Sequence, residues 1–186
     1  MGAGLTLIIG GARSGKSAFA EKLAAQYEHV LFVATAEALD EEMERRIEKH
    51  QRSRPDTWRT LEEPRDVAEV IVNFDPAYDV LLFDCLTLWV TKLLLDMEEG
   101  ADAEQHIAAE AERLFAVYEA SAAEWIVVTN EVGEGVVPPT VLGRAFQDAL
   151  GRVNQLFAAR ADRVYQMTAG LAVDLKALGG RPYGGL

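Results

Sequence analysis

A chain of 186 residues, 49% hydrophobic and 26% charged, is long enough for one well-packed domain and too ordinary in composition for a disordered one. Its net charge of −12, from 30 acidic and 18 basic side chains, opposes binding to nucleic acid and to anionic membranes. No apolar run approaches the roughly 18 to 20 residues that cross a bilayer and the N-terminus shows no secretory pattern, so a cytoplasmic protein without membrane insertion is expected. The single cysteine, Cys85, excludes a disulfide framework and a cysteine metal site.

The first element in the chain is an apolar run, Leu5 to Ile9, that reads as a buried strand. It runs into Gly10, Gly11, Ala12, Arg13, Ser14, Gly15, Lys16 and Ser17, which match G-x-x-x-x-G-K-[ST], the phosphate-binding loop. Glycines at both ends let the backbone turn so that N–H groups face phosphate oxygens. Lys16 brings a positive charge to the β- and γ-phosphates, and the Ser17 hydroxyl is placed to ligate Mg²⁺ at the positive end of the next helix.

Ser17 to Tyr27 then reads as an amphipathic helix with Phe19, Leu23 and Tyr27 toward the sheet, followed by a strand from His29 to Thr35. Strand, helix and strand in this order imply a βαβ unit and a parallel sheet. Asp40 to Arg54 reads as a helix in which Glu41–Arg45, Glu42–Arg46 and Glu48–Arg52 pair at i,i+4. Lys49, His50 and Arg54 have no such helix-local carboxylate. In an acidic chain this basic trio suggests an anion site, where nearby positive charge would keep His50 neutral and able to attack phosphorus. The same residues also fit a solvated helix face with an idle histidine.

Beyond Pro55, Thr57 to Thr60 resembles a short strand, and a helix is expected from about Arg65 to Phe74. Val80 to Cys85 is a third buried strand carrying Asp84 at its end, the pattern of a Walker B carboxylate that supports Mg²⁺. Leu86 to Met97 and Ala101 to about Ala122 read as helices, His106 on the second being a surface residue. Trp125 to Thr129 is a fourth strand. It leads into a Gly- and Pro-containing loop, 130–139, at the carboxyl edge of the sheet, where open α/β folds bind ligands. Glu131 in that loop is a candidate for catalysis or metal support, or simply shapes the loop.

Val141 to Ala161 places Leu142, Phe146, Ala149, Leu150, Val153 and Phe157 on one helical face, with Arg144, Arg152 and Asn154 on the polar side. Asp162 to Thr168 and Leu171 to Leu175 form a hairpin about Ala169-Gly170. One domain, 1–178, is expected, with a mobile tail at 179–186.

These residues resemble the bifunctional adenosylcobinamide kinase and adenosylcobinamide-phosphate guanylyltransferase family. The similarity spans GGARSGKS at 10–17, VATA at 33–36, the stretch from Asp40 to Pro55, WRTLEEP at 58–64, FDCLTLWVT at 83–91, TNEVGEGVVP at 129–138, LGRAFQDALGRVNQ at 142–155 and the closing AGL. His50-x-x-x-Arg54-Pro55 together with the NEVG loop is the specific part.

The resemblance implies a single P-loop NTPase-type α/β domain, recombinase-like, with a mostly parallel sheet flanked by helices and an antiparallel C-terminal strand. It implies adenosylcobinamide and adenosylcobinamide-phosphate as substrates, ATP or GTP with Mg²⁺ as cofactors, and a homotrimer. It places the guanylylated histidine on His50; the phosphate-loop and strand-end patterns make Lys16 also a catalytic candidate and Ser17 and Asp84 the metal-supporting ones. GTP contacts fall on the phosphate loop, Ala36, Glu37, Gln51, Arg52, Ser53, Arg54, Glu62 and Asp84. The family commonly has Asn where this chain has Lys92 and a hydrophobic residue where it has Glu134; Lys49 stands where a second histidine can occur. A P-loop kinase of another small metabolite and a non-catalytic nucleotide-binding module are the competing readings.

Overall fold

Runs of Leu, Ile, Val and Phe without polar interruption become strands covered on both faces, as a parallel sheet requires. The computed structural model describes residues 4–37, 41, 45, 54–74, 77–98 and 102–183. The strands are β1 (Gly4–Gly10), β2 (Val30–Ala34), β3 (Arg59–Glu62), β4 (Val80–Asp84), β5 (Glu124–Asn130), β6 (Arg163–Thr168) and β7 (Leu171–Asp174). The helices are α1 (Lys16–Ala24), α2 (Val67–Val72), α3 (Leu86–Asp96), α4 (Ala103–Ala120) and α5 (Val141–Arg160).

The seven strands form one sheet in the order β3-β2-β4-β5-β1-β6-β7. All neighbours are parallel except β6 and β7. Residues alternate between the faces with the period of two that a strand imposes. Leu5, Leu7, Leu31, Val33, Leu81, Phe83, Trp125 and Val127 face the larger core, which α2 to α5 cover. Ile8, Val30, Phe32, Val80, Leu82, Ile126 and Val128 face the smaller core under α1. The mostly parallel α/β architecture and its antiparallel closing strand agree with expectation. Among the described residues no helix is long and apolar enough to cross a membrane.

Three local readings need correction. In α1 the fully buried residues are Ala20 and Ala24, with Phe19 and Leu23 only partly buried; the helix ends at Ala24, and Tyr27 beyond it is 36% exposed. Two alanines let the helix axis approach the sheet, and Phe19 instead meets the Tyr165 ring edge-on at 5.1 Å between centroids. In α5, Leu142 is exposed because it sits in the first turn, before the helix reaches the core, whereas Asn154 is buried. The third strand is Arg59–Glu62, slightly later than expected, because Trp58 leaves the ladder and stacks on Phe32 at 6.4 Å.

The expected hairpin is present. Ala169 and Gly170, with φ of 51° and 80°, form its two-residue turn, the left-handed pair that matches strand twist. In the expected tail, Gly179 and Gly180 donate to the carbonyls of Lys176 and Leu175; residues 184–186 lie outside the described ones.

A Cβ on Gly170 would meet nothing within 4 Å, so a substitution there reports backbone conformation alone. Gly170→Ala is expected to lower the unfolding free energy in urea by about 1 kcal/mol, the left-handed penalty less the gain from stiffening the unfolded chain.

Candidate nucleotide site

The carboxyl ends of the parallel strands stand in one row, and the phosphate loop springs from it. Asp84 pairs in register with Ala34 of β2 and Val128 of β5, Ala34 pairs with Glu62 of β3, and Gly10 pairs with Asn130. The row therefore brings together Gly10 to Ser17, Asp84 and Glu62. Ala36 and Glu37, two and three residues past the end of β2, follow at the same edge.

Gly10 is required by packing: a Cβ there would lie 2.5 Å from the Met167 carbonyl oxygen and 2.8 Å from Ser14 Oγ. Arg13 and Gly15 turn the loop with left-handed φ of 59° and 96°. The loop is gripped from both sides, since the Gly170 amide donates to the Ser14 carbonyl at 2.9 Å and the Glu131 amide to the Gly10 carbonyl at 3.2 Å. Lys16 Nζ donates to the Gly11 carbonyl at 2.9 Å and so lies across the loop. The Ser14 hydroxyl is buried and has no hydrogen-bond partner among the described residues.

Charge is concentrated here. Burial pulls the Lys16 ammonium below its ordinary pKa, and Cys85 and Asp84 oppose that shift. Arg54 lies 3.5 Å over the Phe32 ring centroid. Its pKa is also lowered by burial, against the pull of Asp84, Glu21 and Glu62. Two partly desolvated cations at the carboxyl edge favour an anionic ligand. Ser17 and Asp84 would contribute a hydroxyl and a carboxylate, hard oxygens of the kind Mg²⁺ takes alongside substrate phosphates. Among the described residues no group of three or more His, Cys, Asp or Glu could hold a metal by itself.

His50, Gln51, Arg52 and Ser53 lie outside the described residues, as does Lys49. Of the expected i,i+4 pairs on that stretch, Glu41 and Arg45 are helical and 3.7 Å apart. Glu131 turns its carboxylate back to accept from the Gly133 amide at 2.5 Å, the loop-shaping role.

A buried polar network that sequence reading missed sets the exits of β4 and β5. Thr35 Oγ1 donates to the Cys85 carbonyl at 2.8 Å and accepts from the Cys85 amide at 2.9 Å. Thr87 Oγ1 accepts from the Asn130 amide at 2.8 Å. Thr129 Oγ1 donates to Asn154 Oδ1 at 2.7 Å, and Asn154 Nδ2 donates to the Asn130 carbonyl at 3.0 Å. A signal was available: Asn154 is four residues after Leu150 and three before Phe157, which places it on the apolar face.

Burial, with Asp84 next in effect, pushes the Cys85 thiol up to about 12. Because the native state holds this proton more tightly than the unfolded chain, stability should fall as pH rises from about 8.5, the ordinary thiol value, toward 12. Native protein should resist alkylation near pH 9 and react only as it unfolds, as mass spectrometry of the alkylated chain would read. Asn154→Leu, which strands the Thr129 hydroxyl and the Asn130 carbonyl, should cost about 1–3 kcal/mol in denaturant titration.

Comparison with solved structures gives flagellar accessory protein FlaH from Methanocaldococcus jannaschii. Its TM-score is 0.51 at 16% identity, over 97% of this chain and 82% of that one, a likeness of fold. The bifunctional adenosylcobalamin biosynthesis protein CobU of Escherichia coli (strain K12) is 42% identical over 180 residues, 92% of this chain and 99% of that protein. CobP of Pseudomonas aeruginosa, described in the same words, is 46% identical over 171 residues, 91% of this chain and 96% of its own length. The model of the cobinamide kinase / cobinamide phosphate guanyltransferase family matches residues 6–175. With a phosphate loop at the carboxyl edge, relatives matched along nearly their whole length and a family model covering most of the chain, this protein belongs to the cobinamide kinase / cobinamide phosphate guanyltransferase family.

Proposed function

We propose that one nucleotide site serves two reactions: phosphorylation of the adenosylcobinamide hydroxyl by ATP or GTP, and transfer of GMP from GTP to adenosylcobinamide-phosphate through His50. The observation that carries this reading is the gripped Gly10–Ser17 loop with partly desolvated Lys16 beside Asp84, in a chain of this family. GTP contacts at Ala36, Glu37, Gln51, Arg52, Ser53, Arg54, Glu62 and Asp84 belong to the same reading. So does assembly as a homotrimer, for which the support is the family resemblance; residence in the cytoplasm is the expectation read from the amino-acid sequence.

In the kinase step the substrate hydroxyl oxygen attacks the γ-phosphorus, its proton is lost and the bond to the β-phosphate oxygen breaks, leaving a nucleoside diphosphate. Catalysis of this kind is positioning plus charge stabilisation. The loop supplies the first, and Lys16 supplies the second on the oxygens that gain charge.

In the transferase step a neutral His50 nitrogen attacks the α-phosphorus of GTP. The α–β bridging bond breaks, pyrophosphate leaves, and a phosphoramidate remains. An oxygen of the corrinoid phosphate then attacks that phosphorus, the N–P bond breaks and histidine is restored. Arg54 would stabilise charge on the equatorial oxygens. Ser17 and Asp84 would hold a magnesium ion alongside the phosphates, which when bound would supply charge neutralisation there.

Intact-mass analysis after incubation with GTP and Mg²⁺ should show a covalent GMP that maps to His50. His50→Ala should lose that adduct and keep cobinamide phosphorylation, whereas Lys16→Ala should slow both steps at least about 100-fold. An adduct that persists in His50→Ala refutes the assignment of the nucleophile. Release of GDP alone, with no pyrophosphate, points to a kinase of another metabolite.

A further inference from the structure

We propose that the corrin ring of the substrate rests on the 133–142 loop, with part of its carboxamide rim in the cavity between that loop and the outer face of α5. The inference rests on the cobinamide reading above and assigns a place to the half of the substrate that the phosphate loop does not hold.

The loop is fixed at both ends. The Glu131 amide donates to the Gly10 carbonyl at 3.2 Å, and Gln147 Nε2 donates to the Val132 carbonyl at 2.9 Å. Arg144 Nη1 donates to the carbonyls of Pro138 and Pro139 at 3.0 and 3.1 Å. Thr140 caps α5 by accepting from the Gly143 amide. Gly143 leaves room for Pro138 on the first turn of that helix, since a Cβ there would lie 2.8 Å from Pro138 Cβ. A loop restrained in this way nevertheless turns large apolar side chains to solvent: Val136 is 94% exposed, Val137 70%, Val141 76% and Leu142 52%. Single exposed valines are ordinary, but a cluster of them on a fixed surface marks a binding face.

Val137 and the α5 side chains Gln147, Asp148, Arg152 and Gln155 line a cavity of about 590 Å³, together with Glu104 at the start of α4. Its chemistry is selective. The two glutamines offer carboxamides, which can both donate to and accept from other carboxamides. Two carboxylates against one guanidinium leave the lining net negative, which disfavours a second nucleotide and favours a cation. Adenosylcobinamide is an alkylcobalt corrin, with apolar methyl-bearing faces, a rim of primary carboxamides and a positive charge at cobalt. It matches the valines, the glutamines and the sign of the charge.

Strand register puts this surface where the kinase step needs it. Gly10 pairs with Asn130, so the loop leaves the sheet beside the phosphate loop. The hydroxyl on the aminopropanol arm must reach the γ-phosphorus while the bulky ring stays outside the phosphate loop. Val136 is five residues beyond Glu131, at most about 18 Å away along an extended chain. A ring held by Val136 and Val137 therefore stays next to the triphosphate.

The test is steady-state phosphorylation of adenosylcobinamide at saturating ATP by the parent and by Val136→Ser/Val137→Ser, with light scattering of both proteins. The two valines are exposed, so the double variant should fold as the parent does. We expect the KM for adenosylcobinamide to rise about tenfold, the effect of losing part of an apolar contact, with kcat, the KM for ATP and the assembly mass little changed. Gln155→Leu, which removes a carboxamide from the cavity and keeps the apolar face, should raise the same KM roughly threefold or more. An unchanged KM for adenosylcobinamide in either variant overturns the proposal. A smaller assembly in the valine variant also overturns it and marks the loop as a contact between copies of the chain, and a parallel rise in the KM for ATP reduces the loop to a support of the phosphate loop. A parent that phosphorylates adenosylcobinamide with neither ATP nor GTP refutes the cobinamide reading itself, a different outcome from normal turnover that is indifferent to the two valines.

Discussion

The wedge between β1 and β6 is the constraint on which the site depends. Gly10, the last residue of β1, has no room for a Cβ beside the Met167 carbonyl, so only glycine fits where the chain passes from the sheet into the phosphate loop. The loop then receives a hydrogen bond from each flank, from the β6–β7 turn through Gly170 and from the β5 exit through Glu131. The hairpin that closes the sheet therefore also braces the loop of the candidate nucleotide site.

Charge is handled in two ways within a strongly acidic molecule. Lys16 and Arg54 are partly desolvated, their pKa values lowered mainly by burial, and sit among carboxylates at the carboxyl edge. An anionic ligand would favour both in their charged forms. Around Glu37 the charges instead close on themselves: Lys92 and Arg65 are pulled upward chiefly by hydrogen bonds to Glu37 and Asp96 respectively, and Asp96 is pulled downward by Arg65 and Lys92. The first arrangement is suited to binding and the second to holding the chain in place.

Between these two lies the threonine and asparagine network, which performs neither task directly. Thr35 binds both backbone groups of Cys85, and Asn154 reaches from α5 to Thr129 and Asn130. Each polar side chain satisfies backbone or hydroxyl groups that would otherwise be buried without partners, a cost larger than the net value of an ordinary hydrogen bond. The strand exits next to the phosphate loop thereby gain defined directions.

By itself the sequence determined whatever rests on neighbours in the chain: the phosphate loop, the apolar runs that became β1, β2, β4 and β5, the long helix α5, and the Ala169-Gly170 turn. These features are local, written in periods of 2 and 3.6 residues and in glycine positions, and the family motifs are equally local. Only the tertiary structure decided that Ala20 and Ala24 would be the buried face of α1, that Asn154 would turn inward, that Glu131 would fold onto its own loop, and that Lys92 would reach Glu37 across 54 intervening positions. A side chain's partner across the fold depends on which strands become neighbours, and the order β3-β2-β4-β5-β1-β6-β7 arises from packing the whole sheet between its helices.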